Sequence, residues 1–160
     1  MIRINKYLAT VAVAAVGLTQ SASATIFAHA TSGGTTIGAD VSTLLPINST
    51  LTSLPVKLAK AGGAIITYST ECDVFSGTQP GLTYVDIDIL VNGTKIAPLQ
   101  FNDDAFCSSF GSGNQTWSRP SVSAWVALPS GTSQIQVKAI LNGGVDSSAQ
   151  IVRGSIIVTQ

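Results

Sequence analysis

The sequence predicts an all-β fold, an antiparallel sandwich closed by one disulfide, and three observations carry that expectation. Apolar residues alternate with polar ones at period two along most of the chain after residue 24. Gly, Pro and Asn punctuate these runs at the short spacing of strand-to-turn boundaries. No stretch in that region carries the 3.6-residue periodicity of a helix; the nearest, Val56 to Ala61, is too short and follows Pro55.

Taken in order, Thr25–Thr31 and Thr50–Leu58 supply early strands, separated by a Ser/Gly/Thr-rich loop over Thr31–Gly38. Ala64–Glu71 is β-branched and aromatic and is entered through Gly62-Gly63. Leu82–Val91 is the clearest strand: Val85, Ile87, Ile89 and Val91 face one way and Tyr84, Asp86 and Asp88 the other. Asn92-Gly93 follows, the dipeptide suited to a type I′ hairpin because both central residues need positive φ. Thr94–Leu99 is the return strand, ended by Pro98, and Phe110–Gln115 reads as a loop. Gln115–Leu128 places Val122, Ala124, Val126 and Leu128 on one face and is interrupted by Pro120, which marks an edge or a bulge because it cannot donate to the ladder. Pro129-Ser130-Gly131 turns the chain into Gln134–Leu141, and Ile151–Thr159 closes it.

The N-terminus has the three parts of a cleavable export signal. Arg3 and Lys6 give a basic start, Leu8–Leu18 an uncharged apolar run, and Ala22-Ser23-Ala24 the small-x-small end that suits a signal peptidase. The apolar run is too short for a membrane anchor, which takes ~20 residues. The expected division is therefore a signal peptide over residues 1–24 and one sandwich domain over residues 25–160, secreted to an extracellular, periplasmic or cell-surface location, with no membrane insertion after cleavage.

Residues 25–160 hold six basic and eight acidic side chains, a formal net charge of −2, with no basic cluster. Nucleic-acid binding, which needs clustered Lys and Arg to neutralise phosphates, is thus not expected. Charged residues make up 10% of the chain against the usual quarter, so Ser, Thr, Gly, Asn and Gln do the solvating. The two cysteines, Cys72 and Cys107, lie 35 residues apart, and in an exported chain such a pair reads as a disulfide.

Thr67–Cys72, Val85–Gly93, Asp104–Cys107 and Leu128–Thr132 together resemble a type of bacterial exported domain with jelly-roll architecture. The Leu128-Pro129-Ser130-Gly131-Thr132 turn into an alternating strand is similar to a hairpin of C1q/TNF-like jelly rolls. That resemblance covers most of residues 50–160 and implies a sandwich of jelly-roll type. It implies no activity, because fold does not carry function.

Candidate chemistry is sparse. His29 is the single histidine, and no nucleophile motif accompanies it, so catalysis is not expected. Glu71 with Asp73, and Asp86 with Asp88, are carboxylate pairs on shared strand faces; solvated faces explain both. Asn102-Asp103-Asp104 offers hard oxygen ligands, making Asp103 and Asp104 the candidates for Ca²⁺, with Asp86 or Asp88 as further ligands; no other cofactor is implied. Trp117, Trp125, Tyr68 and Tyr84 are the candidate platforms for a carbohydrate or another surface ligand, since such sites use an exposed ring beside polar donors. Core or inter-sheet packing is the plainer expectation for each ring. The alternative is a self-assembling surface protein, a homo-oligomer or a pilus-like subunit, in which Thr25–Thr31 pairs with a neighbour's sheet edge. Asn48, Asn92 and Asn114 stand in Asn-x-Ser/Thr sequons.

Overall fold

A computed structural model describes residues 26–30, 34–78, 82–97, 105–111 and 113–160, the first of these segments by its backbone alone. The expected signal peptide and the Asp103–Asp104 candidate lie outside the described residues.

The described residues form twelve strands: β1 (Ile26–Ala30), β2 (Gly34–Gly38), β3 (Ser42–Leu44), β4 (Leu54–Leu58), β5 (Gly62–Phe75), β6 (Leu82–Val91), β7 (Thr94–Ala97), β8 (Ala105–Phe110), β9 (Gln115–Ser118), β10 (Ser121–Leu128), β11 (Gly131–Asn142) and β12 (Ser148–Thr159). They make two antiparallel sheets packed face to face, and the described residues contain no helix. In sheet A, β12 and β5 lie at the centre, with β1 and β2 end to end along β12 and β9 and β10 end to end along β5. In sheet B, β11 and β6 are central, flanked by β3 with β4 and by β7 with β8. Each collinear pair acts as one strand, giving four strands per sheet. The chain crosses to the other sheet at every connection except the β6–β7 hairpin, which is the jelly-roll path of two Greek keys.

The long strands are the central ones and the broken strands are edges, for a reason written in the residues. Pro46 follows β3, Pro55 lies in β4, and Pro120 separates β9 from β10. Proline is tolerated where no neighbour waits for its N–H. The run over Gln115–Leu128, expected to be interrupted at Pro120, is accordingly two strands. Gly34–Gly38, expected as loop, is an edge strand on β12, and Ser42–Leu44 and Ala105–Phe110 are strands that alternation did not mark. The chain at Leu128–Thr132 is not a hairpin: β10 pairs with β5 and β11 with β6, so the turn is a corner between sheets, with Gly131 at φ 99°. The β6–β7 turn has Asn92 and Gly93 at φ 51° and 80°, as a type I′ turn requires.

Between the sheets lie Val56, Ile66, Val85, Ile89, Leu128, Ile135, Leu141 and Ile156, all but closed to solvent. Each such side chain contributes ~1.5–3 kcal/mol on burial. The disulfide joins Cys72 of β5 to Cys107 of β8, with Cα atoms 6.4 Å apart, and so ties the centre of sheet A to an edge of sheet B through the core. A disulfide of this kind belongs to an oxidising compartment. Among the described residues no helix is long and apolar enough to cross a membrane.

Candidate functional site

Alternation assigns Ala64, Ile66, Tyr68, Thr70, Cys72 and Val74 of β5 to the core and Ile65, Thr67, Ser69, Glu71, Asp73 and Phe75 to the outer face of sheet A. Two irregularities in the flanking strands meet on that face beside Glu71.

The first is on the β9–β10 side. Ser118 pairs with Cys72 and Ser121 with Ser69, so one register runs through the break and sets Arg119 opposite Glu71 and Pro120 opposite Thr70. The Thr70 amide donates to the Pro120 carbonyl at 3.3 Å. The second is in β12, where Val152 pairs with Glu71 and Ser155 with Ser69, leaving Arg153 and Gly154 together opposite Thr70. This is a β-bulge, and Arg153 occupies it with a left-handed φ of 54°. The Thr70 hydroxyl stabilises it by donating to the Val152 carbonyl at 2.7 Å. Ala149 and Ile151 face the core before the bulge, Ile156 and Val158 after it. The extra residue thus turns Arg153, at an inward phase, out to solvent.

The outcome is a carboxylate held between two guanidinium groups. Arg119 Nη2 lies 2.8 Å from Glu71 Oε1, and Arg153 Nη1 lies 3.1 Å from both Glu71 oxygens. Glu71 is largely covered, its side chain 19% exposed, while Arg119 and Arg153 stand 79% and 73% exposed. Open ion pairs of this kind contribute ~0–1 kcal/mol to stability. Their effect here is orientation: each guanidinium gives one nitrogen to Glu71 and keeps the rest of its five N–H donors for other oxygens. An open hollow of about 300 Å³ lies over Glu71, Arg119 and Arg153 and is rimmed by Ser69, Ser121 and Ser155. A second, of about 400 Å³, shares Glu71 and Arg119 and is walled by Trp117.

The four candidate rings separate. Trp117, paired with Asp73, and Trp125, paired with Ile65, are both on the outer face of sheet A and are 54% and 70% exposed, so the packing role expected for them is corrected. Tyr68 is in the core, 6.1 Å from the Phe106 ring, and presents no surface to a ligand. Burial pushes its pKa up to about 12, against a smaller opposing effect of a hydrogen bond with Thr70. Tyr84 is half-buried on the outer face of sheet B, opposite Asn142 and away from the tryptophans.

The carboxylate pairs are not solvated faces. Asp73 is buried; its Oδ2 accepts from Gln115 Nε2, and its Oδ1 has no partner among the described residues. Asp88, on the outer face of sheet B, is 4% exposed and lies 2.6 Å from Lys95 Nζ and 2.7 Å from Lys138 Nζ. Burial alone would raise its pKa; hydrogen bonds from Lys138 and Lys95, with their charges, outweigh this and hold it below the ordinary carboxylate value. Both of its oxygens are engaged by ammonium groups, which corrects its assignment as a Ca²⁺ ligand. Asp86 accepts from Asn142 Nδ2 at 3.1 Å. Among the described residues no three His, Cys, Asp or Glu side chains converge. The Ile26–Ala30 backbone, which the self-assembly alternative would pair with a neighbour's edge, pairs with this chain's own β12, with His29 opposite Ile156.

Sequence reasoning did not single out Arg119 or Arg153 and weighed Glu71 only with Asp73. One signal for Arg153 was present: Ala149 and Ile151 are out of phase with Ile156 and Val158, which demands an extra residue between them. Compared with known proteins, the chain matches no family model and no curated protein.

Proposed function

We propose that this protein is exported and binds saccharide, without catalysis, on the outer face of sheet A at Trp117, Arg119, Glu71 and Arg153. The observation that carries the reading is an exposed indole beside a carboxylate fixed between two open guanidinium groups, all bordering joined hollows. Sugars offer an apolar ring face with hydroxyls around its rim. Trp117 supplies the apolar surface, the arginines supply donors, and Glu71 and the hydroxyls of Ser69, Ser121 and Ser155 supply acceptors. Export rests on the N-terminal signal pattern together with the disulfide. The C1q/TNF-like resemblance remains a proposal about fold alone.

The test is a glycan array probed with the oxidised protein, followed by calorimetry on the strongest ligand with Trp117→Ala and Glu71→Gln. The expected result is glycan binding that each substitution weakens at least tenfold while thermal stability holds. Binding to no glycan, or binding indifferent to Trp117→Ala, would overturn the reading. A second reading, self-association, is favoured by one observation: Leu82 and Phe110 pair across β6 and β8 and are 50% and 72% exposed. Light scattering across a concentration series tests it, and a strict monomer removes it.

A further inference from the structure

The Trp117 site has a counterpart at the far end of the same face. Trp125 pairs with Ile65 and Trp117 with Asp73, and eight register positions at ~3.3 Å each set the two roughly 26 Å apart along β5. Trp125 has a prepared seat. A Cβ on Gly63 would lie 2.9 Å from the indole Nε1 and 3.3 Å from Cε2 and Cζ2, so that side of the ring packs where only a glycine leaves room. Packed on that side, it is still 70% exposed, and it borders an open hollow of about 350 Å³ with Ile65, Thr159 and Gln160. A ring packed against a glycine is restrained before any ligand arrives, which lowers the ordering cost of binding.

Between the two rings the face is a field of small hydroxyls. Register places Ser121, Ser69 and Ser155 in one transverse row and Ser123, Thr67 and Ile157 in the next, with Thr67 and Ser123 hydrogen-bonded at 2.8 Å. Along β5, β9–β10 and β12 the ionisable side chains facing outward are Glu71, Asp73, Arg119 and Arg153, whose formal charges cancel. A charged polymer would meet no net complement here; an uncharged one rich in hydroxyls meets donors, acceptors and two apolar rings.

Resting on the saccharide reading above, we propose that this face binds an extended, uncharged polysaccharide strand running along β9–β10, with Trp117 and Trp125 as its two stacking platforms. A short fragment engages Trp117 and its polar cluster; only a longer one reaches Trp125.

The experiment is calorimetry of the oxidised protein with di- to octasaccharides of uncharged β-1,4-linked hexoses (cellulose, mannan and chitin fragments). Polygalacturonate fragments serve as the charged arm, and each is run against wild type, Trp125→Ala and Trp117→Ala. The expected result is that the octasaccharide of the bound series exceeds its disaccharide in affinity by about tenfold or more, the scale of one added aromatic contact. Trp125→Ala erases that gain and leaves disaccharide binding unchanged, whereas Trp117→Ala weakens both. Equal affinity at all lengths, or a gain that survives Trp125→Ala, overturns the extended-strand proposal and leaves the Trp117 site standing. A length gain confined to polygalacturonate overturns the uncharged assignment. Dimerisation in light scattering that Trp125→Ala abolishes overturns it in favour of a second copy on this face. Absence of binding to every fragment overturns this proposal, and the glycan array decides separately whether the reading beneath it stands.

Discussion

Replacing Asp88 by Asn removes the charge at the centre of sheet B while keeping the volume, and the structure sets the cost. The carboxylate is 4% exposed and takes two charged hydrogen bonds, from Lys95 at 2.6 Å and Lys138 at 2.7 Å. A hydrogen bond to a charged group contributes ~1.5–3 kcal/mol. The two do not add in full, because the lysine side chains are 39% and 27% exposed and recover hydration when released. We expect a loss of about 1.5–2.5 kcal/mol at pH 7. The folded-state pKa of Asp88 lies below its unfolded value of ~3.9, so this contribution is complete above about pH 4. It is lost as pH falls through the folded pKa. Urea unfolding of wild type and Asp88→Asn, followed by far-ultraviolet circular dichroism at pH 7 and pH 2.5, reads the difference. The gap should shrink by at least half at the lower pH. A gap below about 0.5 kcal/mol at pH 7, or one that is the same at both, would refute the clamp.

Removing the disulfide with Cys72→Ser and Cys107→Ser should cost about 4 kcal/mol, the chain entropy of a 35-residue loop, seen as a lower urea midpoint than in the oxidised protein. Tyr68, with its pKa raised to about 12 against ~10 when unfolded, contributes stability that is fully present below pH 10 and is lost as pH rises towards 12. Tyr68→Phe should flatten that fall, measured by urea unfolding at pH 9.5 and 11.5. Arg153→Gly removes a non-glycine residue from a left-handed φ, a relief of ~1 kcal/mol, and an exposed ion pair of similar size. Stability should therefore stay within about 1 kcal/mol of wild type in thermal melts, while affinity for the array-selected glycan falls.

The sheets were legible in the sequence because the central strands are buried on one face and alternate cleanly. Leu82–Val91, Gln134–Leu141 and Ile151–Thr159 all lie inside strands of the structure, and Asn92-Gly93 turns as its residue types require. The edges were less legible. Gly34–Gly38 holds its place by backbone pairing to β12 with Ile37 as its one fully buried side chain, so its composition reads as loop. The site was hidden for a different reason. Arg119 meets Glu71 only through the register of β9–β10 against β5, and Arg153 meets it only through a bulge in β12. Both facts concern which strands are neighbours, and period-two alternation specifies the face of a residue but not its partner. Trp125 shows the same limit: alternation put it on the face opposite Ala124, yet its platform depends on Gly63 in another strand.

The two sheets hold the same arrangement, a carboxylate between two cations, and differ in what surrounds it. On sheet B the lysines close over Asp88, Lys138 from directly opposite it and Lys95 from just past a register shift between β6 and β7, and the cluster is covered. On sheet A the ladder is interrupted on both sides of Glu71, by Pro120 and by the Arg153–Gly154 bulge, and the cluster lies open. Those interruptions carry a cost. A non-glycine residue at φ 54° is strained by ~1–2 kcal/mol, and the exposed ion pair it makes contributes no more than ~1 kcal/mol. Strain left uncompensated by local contacts concentrates at functional sites, where the surrounding fold sustains it. Lys138 and Lys95 show the same clamp in covered form, where its charges are closed to a ligand. The open, strained version on sheet A has the free donors, the adjoining Trp117 and the hollow that a ligand needs, which is why we propose binding on that face.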